Sequence, residues 1–213
     1  MRRPWLIGLA LAAFAGSALA HNGVIHGSEE EAAAHRAETA AKPLPPLPAA
    51  TPFPVEIDVS FDLVDQTGAR RTEADYAGRP ALLFFGYASC EAICSVALPR
   101  MATTLDMLGD KAGGISALMI TVDPENDTPE ALAESMPEIH PQLVGLTGSE
   151  DALAAARDVF QVNVEKITEM PDGTPIYAHG SFIYLIDAEG MVATVLPPIL
   201  SEERMAEIIE RYL

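Results

Sequence analysis

An α/β fold, with a central mixed sheet and flanking helices, is predicted by three features of the sequence. Two apolar runs of strand length, PALLFFGY at 80–87 and ISALMITV at 115–122, are separated by segments whose apolar residues recur at helical spacing. Turn signals at Gln66-Thr-Gly68 and Asp187-Ala-Glu-Gly190 divide alternating segments into hairpins at either end. A hydrophobic fraction of 49% excludes disorder along the whole length.

The elements follow in order. Val55 to Val64 alternates, turns at Gln66-Thr-Gly68 and returns through Arg70 to Thr72 as a hairpin. Pro80 to Tyr87 is apolar almost throughout, as suits a strand covered on both faces. A helix is expected across Cys94 to Leu108, with Pro99 either kinking it or delaying its regular part. Ile115 to Val122 is a second central strand. Thr128 to Met136 reads as a helix with Thr128 as its cap and Pro129 at its first position. A short strand at Leu143 to Leu146 precedes a helix from Ser149 to Phe160. Strands at Ser181 to Ile186 and Met191 to Leu196 flank the second turn, and Glu202 to Tyr212 closes the chain as a helix. This order fits a thioredoxin-like sheet with an N-terminal β-hairpin and an insertion.

The first 54 residues read differently. Arg2 and Arg3, an apolar run from Leu6 to Leu19, and Ala18-Leu19-Ala20 make a signal peptide of residues 1–20. Residues 21–54 form a flexible Pro/Ala-rich tether: an Ala-rich stretch opened by a capping box at Ser28 to Glu31, then KPLPPLPAATPFP at 42–54. Residues 55–213 form the folded domain. The expected location is the periplasm, with inner-membrane anchoring if the leader is retained. A formal charge of −18 argues against nucleic acid as a partner.

The chemistry is expected where the first buried strand meets its helix, outside the carboxyl ends of the sheet. There FFGYASCEAIC at 84–94 places Cys90 in a loop and Cys94 at the helix start, the only two cysteines of the chain. Four residues of helix bring two sulfurs to one face with Cα atoms ~6 Å apart. That spacing suits an inert disulfide, a redox-active one, or two thiolates closing on one soft metal ion. Soft metals select thiolate together with imidazole, and His179 opens AHGSFIYLID at 178–187 just before a strand of the same sheet. His140, ahead of Pro141, reads as a solvated loop residue, His35 as unpartnered, and Asp123 as a turn former. His21, exposed as a new N-terminus by cleavage, could join His26 in an auxiliary metal site.

Four motifs in order make the chain resemble the SCO/SenC family of thioredoxin-like copper-handling proteins. They are FFGYASCEAIC at 84–94, TVDPENDTPEAL at 121–132, LTGSEDALAAARDVFQV at 146–162 and AHGSFIYLIDAEG at 178–190. The resemblance implies copper, as Cu(I) or Cu(II), bound by Cys90, Cys94 and His179. It implies a metallochaperone rather than an enzyme, serving the binuclear copper site of cytochrome c oxidase. The expected partners are the oxidase subunit holding that site and other periplasmic copper carriers, and the expected state is a monomer. The alternative is a thiol–disulfide oxidoreductase, with Cys90 attacking and Cys94 resolving, that reduces the cysteines of the oxidase site. A peroxidase would need a peroxide-activating surround that is not identifiable. The chain departs from the family at Glu91, at Ser95, and at Ala178, where an Asp commonly precedes the histidine.

Overall fold

The computed structural model of the protein describes residues 19–21, 24–26, 57–89 and 94–213, with backbone alone at 19–21, 24–26 and 94–95. The chain divides into two units, Met1–Pro46 and Leu47–Leu213. In the first, β1 (Leu19–His21) and β2 (Val24–His26) pair antiparallel, with Leu19 opposite His26 and His21 opposite Val24. The expected cleavage point after Ala20 falls within β1. The capping box at 28–31, His35 and the polyproline run lie outside the described residues.

The second unit is built on a seven-stranded sheet. Its strands are β3 (Asp62–Asp65), β4 (Arg70–Thr72), β5 (Ala81–Gly86), β6 (Ser116–Thr121), β7 (Leu143–Thr147), β10 (Ile183–Ile186) and β11 (Val192–Leu196). Their spatial order is β11-β10-β5-β6-β7-β3-β4. The three central strands β5, β6 and β7 run parallel, whereas β10 pairs antiparallel with β5 and β3 antiparallel with β7. Every residue of β5 and β6 is buried, as their unbroken apolar runs require of strands covered on both faces. Gly68, at φ 80°, makes the β3–β4 turn in a conformation that side chains with a Cβ avoid.

The helices connect these strands and cover them. α1 (Cys94–Leu108) packs on β5 and against α4 (Glu202–Ile209), with Met101, Leu105, Met205 and Ile209 fully enclosed. Pro99 lies inside α1 within its second turn, where its missing N–H leaves only an early carbonyl without a helical donor. α2 (Pro129–Ile139) begins as expected: the Thr128 hydroxyl accepts the Ala131 N–H at 3.3 Å. It does not end at Met136, however, but runs through Pro137 to Ile139. A proline in the final turn forfeits one hydrogen bond, and Leu132 and Met136 still anchor the buried face. Gly145 of β7 lets this helix come close, since a Cβ there would meet Met136 Cγ at 3.0 Å and Leu132 Cδ2 at 3.1 Å. α3 (Glu150–Val159) is capped by the Ser149 hydroxyl, which accepts the Ala152 N–H at 3.3 Å, and packs on β3.

Elements not expected are the β1–β2 pair, short 3-10 helices at Glu73–Tyr76 and Gly109–Gly114, and a second hairpin. β8 (Glu165–Glu169) and β9 (Pro175–Ala178) form a separate antiparallel hairpin. All of β8 is exposed, so it carries no inward apolar alternation for a sequence reading to find.

Candidate metal centre

The described residues around the candidate site lie at the carboxyl ends of β5 and β6. Beyond β5 the chain passes through Tyr87, which is buried, then Ala88 and Ser89, toward Cys90. Cys90 lies outside the described residues. Cys94 is the first residue of α1, described by its backbone. A helix start is where unpaired N–H groups and the helix dipole favour a thiolate.

His179 follows β9 directly. Its ring lies edge-on to Phe84 of β5, with centroids 5.9 Å apart, and edge-on to Tyr87 at 6.0 Å. Tyr87 also stacks edge-on with Tyr177 of β9, at 5.4 Å. The hairpin that the sequence did not disclose therefore places the histidine against the strand end leading to Cys90. His179 Nδ1 is 2.9 Å from the Gly180 carbonyl oxygen, which can only accept. The ring consequently donates from Nδ1, and in the neutral form its lone pair is on Nε2. Metal-ligating histidines are oriented by such a hydrogen bond from the other ring nitrogen. The carboxylate missing at position 178 thus has a counterpart in the Gly180 carbonyl.

Beside this pair lies a group of buried acids that the sequence reading did not assemble. Asp123 and Asp127 are 0% and 2% exposed. Asp123 is a turn former, as expected, because its carbonyl accepts the N–H groups of Asn126 and Asp127. Its carboxylate also accepts from Asn126 Nδ2 at 2.8 Å and from the Tyr177 hydroxyl at 3.1 Å. Asp127 reaches in the other direction. The Thr121 hydroxyl, at the end of β6, donates to Asp127 Oδ2 at 2.6 Å. The Ala88 N–H donates to both carboxylate oxygens, at 3.3 and 3.1 Å. Burial pushes the Asp127 carboxyl up to about 6 against the opposing effect of these two donors, and the Asp123 charge adds to the rise. Burial first and the nearby Asp123 second push the Tyr177 phenol up to about 12. An Asp-x3-Asp following a buried strand and preceding a helix cap was the available signal for this cluster.

His140 departs from expectation. It is 9% exposed, its Nδ1 accepts the Gln142 N–H at 3.1 Å, and its Nε2 lies 3.5 Å from Asp106 Oδ1. The short connection from α2 to β7 draws the ring inward against α1. His21 and His26 fall in β1 and β2. Among the described residues, which leave out Cys90 and the Cys94 thiol, no three His, Cys, Asp or Glu side chains are grouped to hold a metal ion. Among the same residues no helix is long and apolar enough to cross a membrane.

Comparison with known proteins gives consistent matches. The SCO1/SenC family model matches residues 49–213. The protein SCO2 homolog, mitochondrial, of Danio rerio is 34% identical over 155 residues, covering 72% of this chain and 56% of that protein. An SCO2-like protein of Rickettsia felis is 36% identical over 138 residues, covering 64% of this chain and 67% of that one. The chain thus spans little more than half the length of the first relative and two thirds of the second. The structure of Bradyrhizobium japonicum ScoI with copper bound aligns with a TM-score of 0.68 at 32% identity, covering 74% of this chain and 99% of that chain. The mixed sheet with its flanking helices is the thioredoxin-like fold of that structure and of yeast Sco1, which aligns with a TM-score of 0.66 at 29% identity, covering 73% of this chain and 96% of that chain. On the match across residues 49–213, and on identities above 30% in animal and bacterial relatives alike, this chain belongs to the SCO1/SenC family.

Proposed function

We propose that this chain is an exported copper metallochaperone that binds one copper ion through Cys90, Cys94 and His179 and delivers it to the binuclear copper site of cytochrome c oxidase. The observation that carries the reading is the contact of the His179 ring with Tyr87, three residues before Cys90, with Nδ1 engaged by the Gly180 carbonyl. Two thiolates and an imidazole form the donor set that selects copper among available metals. The copper bound in the Bradyrhizobium ScoI structure supports the same choice of cargo.

The chemistry of loading and release follows from the donors. Each thiol must lose its proton to bind, so loading releases protons and depends on pH. Oxidation of Cys90 and Cys94 to a disulfide removes both thiolates and closes the site. Transfer proceeds by ligand exchange, the acceptor's thiolates and imidazoles replacing those of the chain one at a time. Export is supported by the leader at residues 1–20 and keeps the cysteine pair where it can cycle between its two states.

The test is a copper titration of reduced and oxidised protein in which His21 and His26 are replaced by alanine. One equivalent is expected in the reduced form and none in the oxidised form. His179→Ala should lower affinity by orders of magnitude and leave disulfide exchange with a small dithiol nearly unchanged. Full affinity in that variant would move the thiol–disulfide oxidoreductase reading ahead.

A further inference from the structure

Asp127 joins the carboxyl ends of β5 and β6. Its carboxylate takes the Thr121 hydroxyl from the end of β6 and the Ala88 N–H from the loop that follows β5. Ala88 is two residues before Cys90. Asp127 is 2% exposed, and a second buried carboxylate, Asp123, stands four residues before it. Among the described residues, no Lys, Arg or His donates to it. Two neutral donors could be met by a neutral acceptor without the desolvation cost of a buried anion. A carboxylate offers what an asparagine does not: two acceptor oxygens, and no NH2 group to turn against the donors it faces.

Resting on the carrier reading above, we propose that Asp127 is a positioning residue for copper binding, whose two-oxygen hold on the Ala88 N–H, braced by Thr121, fixes the chain two residues before Cys90. It acts through the backbone there. A metal site needs its donors held to about half an ångström by surrounding hydrogen bonds. Loss of such a supporting contact typically lowers metal affinity about 10–100-fold. Thr121 takes part twice, because its oxygen also accepts the Asp123 N–H at 2.9 Å. The brace therefore ties Ala88 to the same turn that receives the Tyr177 hydroxyl from the histidine-bearing hairpin.

The experiment compares Asp127→Asn and Thr121→Val with wild type in the full chain. It reads amide exchange at Ala88 in the reduced copper-free protein, copper affinity by competition, and the absorption of the Cu(II) form. In Asp127→Asn, Ala88 exchange should quicken about tenfold or more and copper affinity should fall about 10–100-fold at unchanged stoichiometry, with a shifted thiolate-to-copper band. Thr121→Val should change all three in the same direction and by less. A folded Asp127→Asn protein with wild-type affinity and spectrum overturns the inference, whatever its Ala88 exchange. Should that variant fail to fold, wild-type values in Thr121→Val overturn it instead. A wild-type chain that binds no copper overturns the carrier reading and this inference together, whereas equal binding by wild type and variants overturns the inference alone.

Discussion

Asp65 and Asp127 are the same residue type with nearly the same exposure, 4% and 2%, but Asp127 lies deeper in the protein, and their carboxyls are shifted in opposite directions. Asp65 sits at the β3–β4 turn. It accepts the Thr67 N–H at 2.7 Å, the Thr67 hydroxyl at 2.6 Å, the Ala69 N–H at 3.1 Å and Arg71 Nε at 2.7 Å. Burial pushes its carboxyl up, but the Thr67, Arg71 and Ala69 donors outweigh burial and hold it down at about 2. Asp127 has a hydroxyl, one N–H and a neighbouring carboxylate, and its carboxyl is driven up to about 6. Asp65 is a buried anion that the fold stabilises. Asp127 is one that the fold tolerates at a cost, at the sheet end from which the chain leads toward Cys90. Strain of that kind is concentrated at functional sites.

The comparison can be broken most directly at Asp65. Asp65→Ala leaves the Thr67 and Ala69 N–H groups and the Arg71 guanidinium without their acceptor, and should lower unfolding free energy by about 3 kcal/mol. Denaturant unfolding measures this. Copper affinity should be unchanged, and a matching loss of copper binding would show that the two acids do not have separate tasks.

Next in size is the acid dependence of stability. Asp127 binds its proton more readily folded than unfolded, so the folded state holds the extra proton between pH 3.8 and about 6. Its stability contribution therefore improves as pH falls through that window, and at pH 8 the ionised group costs up to about 3 kcal/mol. Asp65 runs the other way: it contributes above pH 3.8, and that contribution is lost as pH falls toward about 2. Unfolding of wild type and Asp127→Asn at pH 8 and pH 4 isolates the first effect. The variant should gain on wild type at pH 8 by up to that amount relative to pH 4, and a constant difference would remove the contrast between the two acids.

The smallest effect sharpens the site side of the comparison. Tyr177→Phe deletes the hydroxyl that donates to Asp123 and keeps the ring against Tyr87. A loss of about 1 kcal/mol in stability is expected. A much larger loss would mean that Asp123 depends on Tyr177 as heavily as Asp65 depends on Arg71.

The elements that local chemistry specifies were legible in the sequence. The unbroken apolar runs of β5 and β6 announced buried strands, Thr128 and Ser149 announced helix starts, and Asp187 to Gly190 announced the β10–β11 turn. The position of Cys94 at a helix start was legible for the same reason. The β8–β9 hairpin was not, because its first strand is exposed at every residue and so carries no buried face. Met136, just before Pro137, looked like the end of α2, since local propensity says nothing of the contacts that Leu132 and Met136 make with β7 at Gly145.

What the sequence determined by itself was therefore the order of the strands of the main sheet and of its helices, the fold class, and the pattern of Cys90, Cys94 and His179 that resembles a copper site. These rest on periodicity, capping and residue type, which act over a few residues. What only the tertiary structure decided was which distant groups meet: His179 on Phe84 and Tyr87, Gly180 in place of a carboxylate at 178, His140 against Asp106, and Asp127 on Ala88. Asp127 and Ala88 are 39 residues apart in the chain and meet because β5 and β6 lie side by side. A buried hydrogen bond depends on where its partner is and on whether water can reach it, and both are properties of the packed sheet.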